Sequence, residues 1–287
     1  MRQLGRGLAA VAAIAFCCAA YLYLTLPDVR ALRSSSPATT AFIELRARQA
    51  RASGQEPRRV QRWVPYARIS PHLKRAVLVA EDSAFWQHDG VDYDQLKESM
   101  EVNLERGEFV RGASTITQQL AKNLYLSPTK NPIRKLRELL IARRLEAELS
   151  KQRILELYLN VIEWGDGIYG AEAASRTYFG KPAADLGPQE SALLAAAIIN
   201  PRVLTPGHPT ARLRRRQQMI MRRMGAVTPP PVVAETAPPP ATEGGSVDEL
   251  LLVPSLPPVE LPDVPPSPPE GPDPPAPVKP CAVPPCR

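Results

Sequence analysis

Three short clusters in this chain carry side chains able to move a proton or hold an anion. The first is Glu81-Asp82-Ser83-Ala84-Phe85-Trp86-Gln87-His88-Asp89-Gly90. Its two adjacent carboxylates fall at the C-terminal end of a helical pattern, where the helix dipole disfavours negative charge, and two aromatic rings follow at once. A carboxylate partly desolvated by such rings has a raised pKa and can accept a proton near neutrality. The second cluster is Gly112–Asn123, in which Thr115, Gln119 and Lys122 recur at i, i+4 and i+7 and so share a helix face. A hydroxyl, an amide and an ammonium in a row, beside the free backbone N–H groups of a glycine-led helix start, are equipment for holding an anion. The third places Arg134 and Glu138 on one face, with Lys135 beside them.

Taken singly, each cluster has a plainer reading. The first is an exposed acidic helix end, the second a solvated polar face, and the third a surface ion pair of roughly a few tenths of a kcal/mol. Together they form a general base, an anion cradle and a second carboxylate. Carboxylate pairs are the common equipment of glycoside chemistry. A pyrophosphate leaving group needs cations rather than a general acid, which would account for Lys122, Arg134 and Lys135.

The elements that must position these residues are helices. Ser70 suits an N-cap and Pro71 the first helical position. Leu73, Ala76, Val77, Ala80 and Ala84 then recur as a buried stripe, predicting a helix over 70–86. Asp92 can cap a second helix with Leu96, Met100 and Leu104 facing inward, and Gly107 and Gly112 bracket a short apolar loop. Ile116, Leu120 and Leu124 stripe the helix of the second cluster. Asn131-Pro132 starts a long helix with Leu136 and Leu140 inward, and Ser150 starts the next, through Ile154, Leu155, Tyr158 and Leu159. Trp164 to Gly170 reads as a glycine-rich loop, and further helices cover 171–179 and 188–199. The last, 209–224, packs Leu213, Ile220 and Met224 and leaves Arg212, Arg214, Arg215, Arg216, Arg222 and Arg223 in water. No strand of useful length is expected, so residues 60–225 read as one all-α domain.

The ends differ from this body. Leu8 to Leu26 is almost wholly apolar, about the length that crosses a bilayer's hydrocarbon core, with Arg2 and Arg6 before it. It reads as an uncleaved anchor over residues 1–27, N-terminus in the cytoplasm, followed by an arginine-rich linker, 28–59, with one short amphipathic helix. The last 62 residues, 226–287, hold 21 of the 33 prolines and carry a net −6, against +7 for the whole chain. Such a tail cannot bury enough apolar surface to order itself and is expected to be an extended, disordered polyproline-like chain. The body contains no cysteine, which excludes a cysteine nucleophile and a thiolate metal site; only Cys281 and Cys286 could pair, in an oxidising compartment.

At the three clusters the chain closely resembles the peptidoglycan glycosyltransferases that polymerise lipid II, glycosyltransferase family 51. Glu81-Asp82-x-x-Phe85-x-x-His88-x-Gly90 is similar to the family's first signature, and Gly112-x-Ser114-Thr115-Ile116-Thr117-Gln118-Gln119-Leu120-x-Lys122-Asn123 to its second. Arg134-Lys135-x-x-Glu138 and Ser150-Lys151-x-x-Ile154-Leu155-Glu156-x-Tyr158-Leu159-Asn160 resemble the third and fourth. The resemblance implies a lysozyme-like helical fold and an inverting transfer that releases undecaprenyl pyrophosphate. Carried over by position, Glu81 is the general base for the acceptor's sugar 4-hydroxyl, and Glu138 is the second carboxylate. Lys122, Arg134 and Lys135 hold the donor's pyrophosphate, and Ser114, Thr115, Gln119 and Asn123 contact the donor. Asp82 and His88 support them.

The implied setting is the inner membrane, with the catalytic domain periplasmic and a mobile apolar flank at 107–112. Lipid II and the growing lipid-linked glycan are the implied partners, other cell-wall synthesis proteins are compatible ones, and nucleic acid is not expected. No cofactor is required. A divalent ion beside the pyrophosphate is compatible with the pattern, although no ligand cluster for it is visible in the sequence. No Ser-x-x-Lys transpeptidase nucleophile follows Gly225, so the resemblance is to the monofunctional form. The proline-rich tail departs from the family pattern. Two readings of other kinds remain: a lytic hydrolase of finished glycan, and a non-catalytic, membrane-tethered binder using the basic body.

Overall fold

A computed structural model describes residues 2–106, 114–129 and 131–225 of the chain. The tail from 226 to 287, with Cys281 and Cys286, lies outside the described residues, as do the apolar loop at 107–112 and the glycine-led start of the second cluster. The described residues belong to one compact unit.

That unit is mostly helical. In chain order its helices are α1 (Arg2–Leu24), α2 (Ala41–Ala52), α3 (Pro71–Glu81), α4 (Tyr93–Arg106), α5 (Ile116–Tyr125), α6 (Pro132–Glu148), α7 (Lys151–Val161), α8 (Ala171–Phe179), α9 (Pro188–Ala197) and α10 (Ala211–Arg223). The predicted starts hold: side-chain oxygens of Ser70, Asn131 and Ser150 accept from His72, Ile133 and Arg153 backbone N–H groups at 3.2, 2.8 and 3.2 Å. Each satisfies a donor that a helix start leaves without an intrahelical partner.

The expectation of an all-helical body is corrected by a small sheet of β1 (Val60–Gln61), β2 (Glu163–Gly165) and β3 (Ile168–Tyr169), in the order β1-β3-β2. β1 runs parallel to β3, and β2 antiparallel to it. Strands of two and three residues are too short for an alternating pattern to register; β3 and most of β2 fall in the stretch read as a glycine-rich loop. Gly167 turns the β2–β3 hairpin at φ +68°, and a Cβ there would lie 2.7 Å from the Arg58 carbonyl oxygen. Only glycine fits both demands.

The almost featureless apolar helix α9 forms the centre, packed between α3 and α10. α5 packs against α2, α6 and α7. The segment 28–59 is not loose: Val29, Leu32 and Ile43 are buried. The C-terminal end of α1 is held by α6, whose Arg137 donates to the Thr25 carbonyl at 3.0 Å and whose Arg144 donates to those of Leu26 and Pro27 at 3.3 and 3.1 Å.

Two packing expectations are overturned. On α4 the inward face runs through Gln95, Ser99 and Val102, which leaves Leu96, Met100 and Leu104 exposed, Leu104 by 85%. On α6, Leu136 is exposed while Glu138 is buried. An apolar stripe marks one face of a helix without saying whether protein covers it. Among the described residues no helix is long and apolar enough to cross a membrane.

Candidate active site

α3 ends at Glu81, five residues short of the predicted 86, because Asp82 leaves the helix to take up partners on α5. Its carboxylate accepts from the Ile116 backbone N–H at 2.9 Å and from His88 Nε2 at 3.0 and 3.1 Å. The ring is fixed in turn: His88 Nδ1 accepts from the Gly90 N–H at 3.2 Å, so Nε2 carries the proton given to Asp82. Placing an anion at the start of α5 also suits that helix's dipole. Lys151 of α7 ties the same loop down by donating to the His88 carbonyl and to Glu146, with its ammonium 4.6 Å from the Phe85 ring centre.

This arrangement leaves Glu81 facing α5: Gln119 Nε2 donates to Glu81 Oε2 at 2.9 Å. Gln119 is itself aimed by the Tyr158 hydroxyl, which donates to its Oε1 at 2.9 Å, and its backbone carbonyl accepts from Asn123 Nδ2 at 2.8 Å. The other Glu81 oxygen lies 3.7 Å from an Arg216 guanidinium nitrogen on α10. Burial pushes the Glu81 carboxyl above the usual carboxylate range; the Gln119 hydrogen bond and the nearby cations Arg216 and Lys122 oppose the shift without cancelling it. Burial likewise drives the Tyr158 phenol well above its ordinary value, so it remains a neutral donor.

The second carboxylate, Glu138, is buried on α6 between two cations. Arg134 donates to it at 2.6 Å, and Lys135 to its other oxygen. Lys135 also reaches Ser114 Oγ at 3.2 Å and Gln118 Oε1 at 3.0 Å, which ties the Glu138 cluster to the start of α5. Lys122, three residues along α5 from Gln119, feels the charges of both carboxylates, Glu138 and Glu81, and those of Arg134 and Lys135. Burial lowers its pKa, and it donates no hydrogen bond among the described residues.

The structure thus brings Glu81, Gln119, Lys122, Asn123, Ser114, Arg134, Lys135 and Glu138 around α5. It does not set Thr115 in a row with Gln119 and Lys122. Thr115 is buried as the N-cap of α5, accepting from the Gln118 N–H at 3.2 Å and donating to the Gly90 carbonyl at 2.8 Å. A helix-face pattern counts Thr115 as a helical residue, whereas a cap turns its side chain back onto the backbone. Asp82 and His88 sit one layer behind Glu81. Arg216 was expected in water and is instead half-buried, with Nε lacking a partner among the described residues. Its place between the buried Leu213, Gln217 and Ile220 is the sequence signal that marks it as inward.

Asp82, His88 and Asp92 bring one ligand atom each within 4.8 Å of one another. The Asp82 oxygens already accept from Ile116 and His88, so an ion there would have to displace bonds that hold the loop.

Comparison with known proteins matches residues 48–225 to the family model described as Transglycosylase. Among similar curated proteins, the biosynthetic peptidoglycan transglycosylase of Dechloromonas aromatica (strain RCB) is 51% identical over 167 residues, 58% of this chain and 72% of its own length. That of Aromatoleum aromaticum (strain DSM 19018 / LMG 30748 / EbN1) is 52% identical over 167 residues, 58% of this chain and 73% of the relative. That of Azoarcus sp. (strain BH72) is 47% identical over 201 residues, 70% and 86% of the two chains.

Proposed function

The chain belongs to the transglycosylase family, and from that premise we propose that it is a peptidoglycan glycosyltransferase of the cell envelope, acting as a monofunctional polymerase of lipid II. The observation that carries the reading is Lys122, a half-buried cation that lines a cavity with Gln119 and Asn123 and lies under the charges of both Glu81 and the Glu138 cluster. A hydrolase of finished glycan has no pyrophosphate for such cations to stabilise.

In the proposed step Glu81 takes the proton from the acceptor's sugar 4-hydroxyl, and the oxygen attacks the donor's anomeric carbon from the face opposite the leaving group. The bond from that carbon to the pyrophosphate oxygen breaks with its electron pair, so α becomes β and undecaprenyl pyrophosphate departs. Lys122, Arg134 and Lys135 stabilise the charge developing there, and Glu138 holds the last two in place. Gln119, oriented by Tyr158, fixes the carboxylate, with Ser114 and Asn123 on the donor side. Arg216 faces the other oxygen of Glu81. Asp82, His88 and Thr115 position this layer. A divalent ion would serve the leaving group's phosphates rather than the Asp82–His88–Asp92 cluster.

The finer setting is the inner membrane, with the apolar run 8–26 as the anchor that holds the chain to it, residues 60–225 as the periplasmic catalytic domain and 226–287 as an appended tail. The Leu8–Leu26 run supports this, as do the exposed Val11, Ile14, Phe16 and Leu24 of α1. The uncovered Leu96, Met100, Leu104 and Leu136 supply a second apolar surface for the bilayer.

The test is incubation of the detergent-solubilised protein with lipid II and no added transpeptidase. Long uncrosslinked glycan is the expected product. Release of fragments from finished glycan, with no polymer from lipid II, would instead make the enzyme a hydrolase.

A further inference from the structure

Away from the catalytic cluster, a cavity of about 320 Å³ opens where the apolar run 8–26 meets α6. Its lining is Leu26, Asp28, Val29 and Arg30 at the end of that run, with Arg144 and Glu148 of α6. Two cations and two carboxylates thus face one space. Asp28 and Arg30 are paired at 2.8 Å, and Glu148 is paired with Arg33. Arg144 has no carboxylate partner among the described residues. Its Nη1 donates to the Leu26 and Pro27 carbonyls, which leaves Nε and Nη2 with donors to spare. Two tyrosines set the depth of this space. Tyr21 and Tyr23 are 65% and 62% exposed near the end of α1, and the Arg144 guanidinium lies 5.4 Å from the Tyr23 ring centre. Exposed tyrosines at the end of an apolar helix sit at the level of lipid head groups, with the ring toward the chains and the hydroxyl toward water. The lining of the cavity begins three residues after Tyr23, at that same level.

We propose that this cavity binds the head group of one zwitterionic phospholipid, a phosphate diester that carries an ammonium. The proposal rests on the reading of residues 8–26 as the membrane anchor, and not on the polymerase chemistry. The spare N–H groups of Arg144 suit the phosphate, since a guanidinium can hold two of its oxygens with parallel bonds. The carboxylates of Asp28 and Glu148 keep lone pairs beyond those their arginines use, and these suit the ammonium. The lining carries as many negative as positive charges, so it matches a neutral head group better than one of net negative charge. The same balance disfavours the substrate's pyrophosphate, for which Lys122, Arg134 and Lys135 supply the cations. A head group seated here fixes α6, the helix that carries Arg134, Lys135 and Glu138, at a set height on the bilayer surface.

The test places the full chain in nanodiscs of equal parts phosphatidylethanolamine and phosphatidylglycerol and reads the lipid it retains by native mass spectrometry. Wild type should keep one phospholipid per chain, ethanolamine over glycerol by at least about threefold, the scale of one exposed ion pair. Arg144→Met should lose the retained lipid. Because that change also removes the bonds to the Leu26 and Pro27 carbonyls, Asp28→Asn combined with Glu148→Gln supplies a second arm. With both carboxylates neutral, phosphatidylglycerol should be kept at least as often as phosphatidylethanolamine. Equal retention of the two lipids by wild type would overturn the site, as would a preference that survives in the double variant or lipid still held by Arg144→Met. Displacement of the retained phospholipid by equimolar lipid II would give the cavity to the substrate and overturn it too. Flotation of the same protein with vesicles separates failure of the site from failure of the anchor reading. A chain that does not float contradicts the anchor, and the site with it. A chain that floats but retains no phospholipid leaves the anchor standing and overturns the site.

Discussion

Gln119 of α5 donates to Glu81 of α3 at 2.9 Å, and its amide oxygen accepts from the Tyr158 hydroxyl at the same distance. The phenol therefore decides which end of the amide faces the carboxylate. An unaimed Gln119 could turn its oxygen toward Glu81 and repel it. The chain Tyr158–Gln119–Glu81 crosses three helices, so the direction of the base is set by the packing of α3, α5 and α7.

Replacing Tyr158 by Phe should lower the polymerisation rate about tenfold while costing about 1 kcal/mol of stability, the net worth of a typical hydrogen bond. Steady-state rates on lipid II and thermal unfolding measured together separate the two effects. A loss confined to stability would mean that Gln119 needs no aiming.

The pH profile should report the raised pKa of Glu81. Activity should fall on acidification at a pH above the ordinary carboxylate range, as the base becomes protonated. The Arg216 cation lowers this pKa, so Arg216→Ala should move the acid limb to still higher pH. An unmoved limb, with only a weaker KM, would confine Arg216 to substrate binding.

Glu81 should also be a destabilising residue at neutral pH. Its folded pKa lies above its unfolded one, so between the two the folded state holds the extra proton and stability falls as pH rises. Glu81→Gln should therefore melt at or above the wild-type temperature at pH 7, with its advantage shrinking on acidification. A lower Tm at pH 7 would contradict the assignment of burial as the dominant influence on this carboxylate.

Lys122 and Glu138 should separate function from stability. Lys122→Met removes a desolvated ammonium with no hydrogen bond among the described residues, so Tm should hold or rise while the rate falls about 100-fold. Glu138→Ala leaves the largely buried Arg134 and the half-exposed Lys135 without their shared carboxylate and should cost about 1–2 kcal/mol. Thermal melts of the two variants, read against their rates, check both halves.

Much of this arrangement was legible in the sequence where a local rule acts alone. Ser70, Asn131 and Ser150 mark helix starts because a cap needs only its own turn, and Leu120 marks a buried face because three packed helices surround it. Legibility failed where a distant partner decides. Asp82 ends α3 early to reach Ile116, thirty-four positions on. Thr115 points inward because Gly90 offers it a carbonyl. Leu96, Met100 and Leu104 obey helical periodicity yet face outward, since periodicity is silent about what lies opposite. Arg216 was grouped with its exposed neighbours, although its position between Leu213 and Gln217 put it on the packed face beside the carboxylate it tempers.

The most direct measurement is polymer formed from lipid II by Glu81→Gln, set beside that variant's binding of the donor. The account predicts a rate at least about 100-fold below wild type, the scale of a lost general base, with donor binding retained because Lys122, Arg134, Lys135 and Glu138 are untouched. Polymerisation at the wild-type rate would contradict it and require another residue to take the proton.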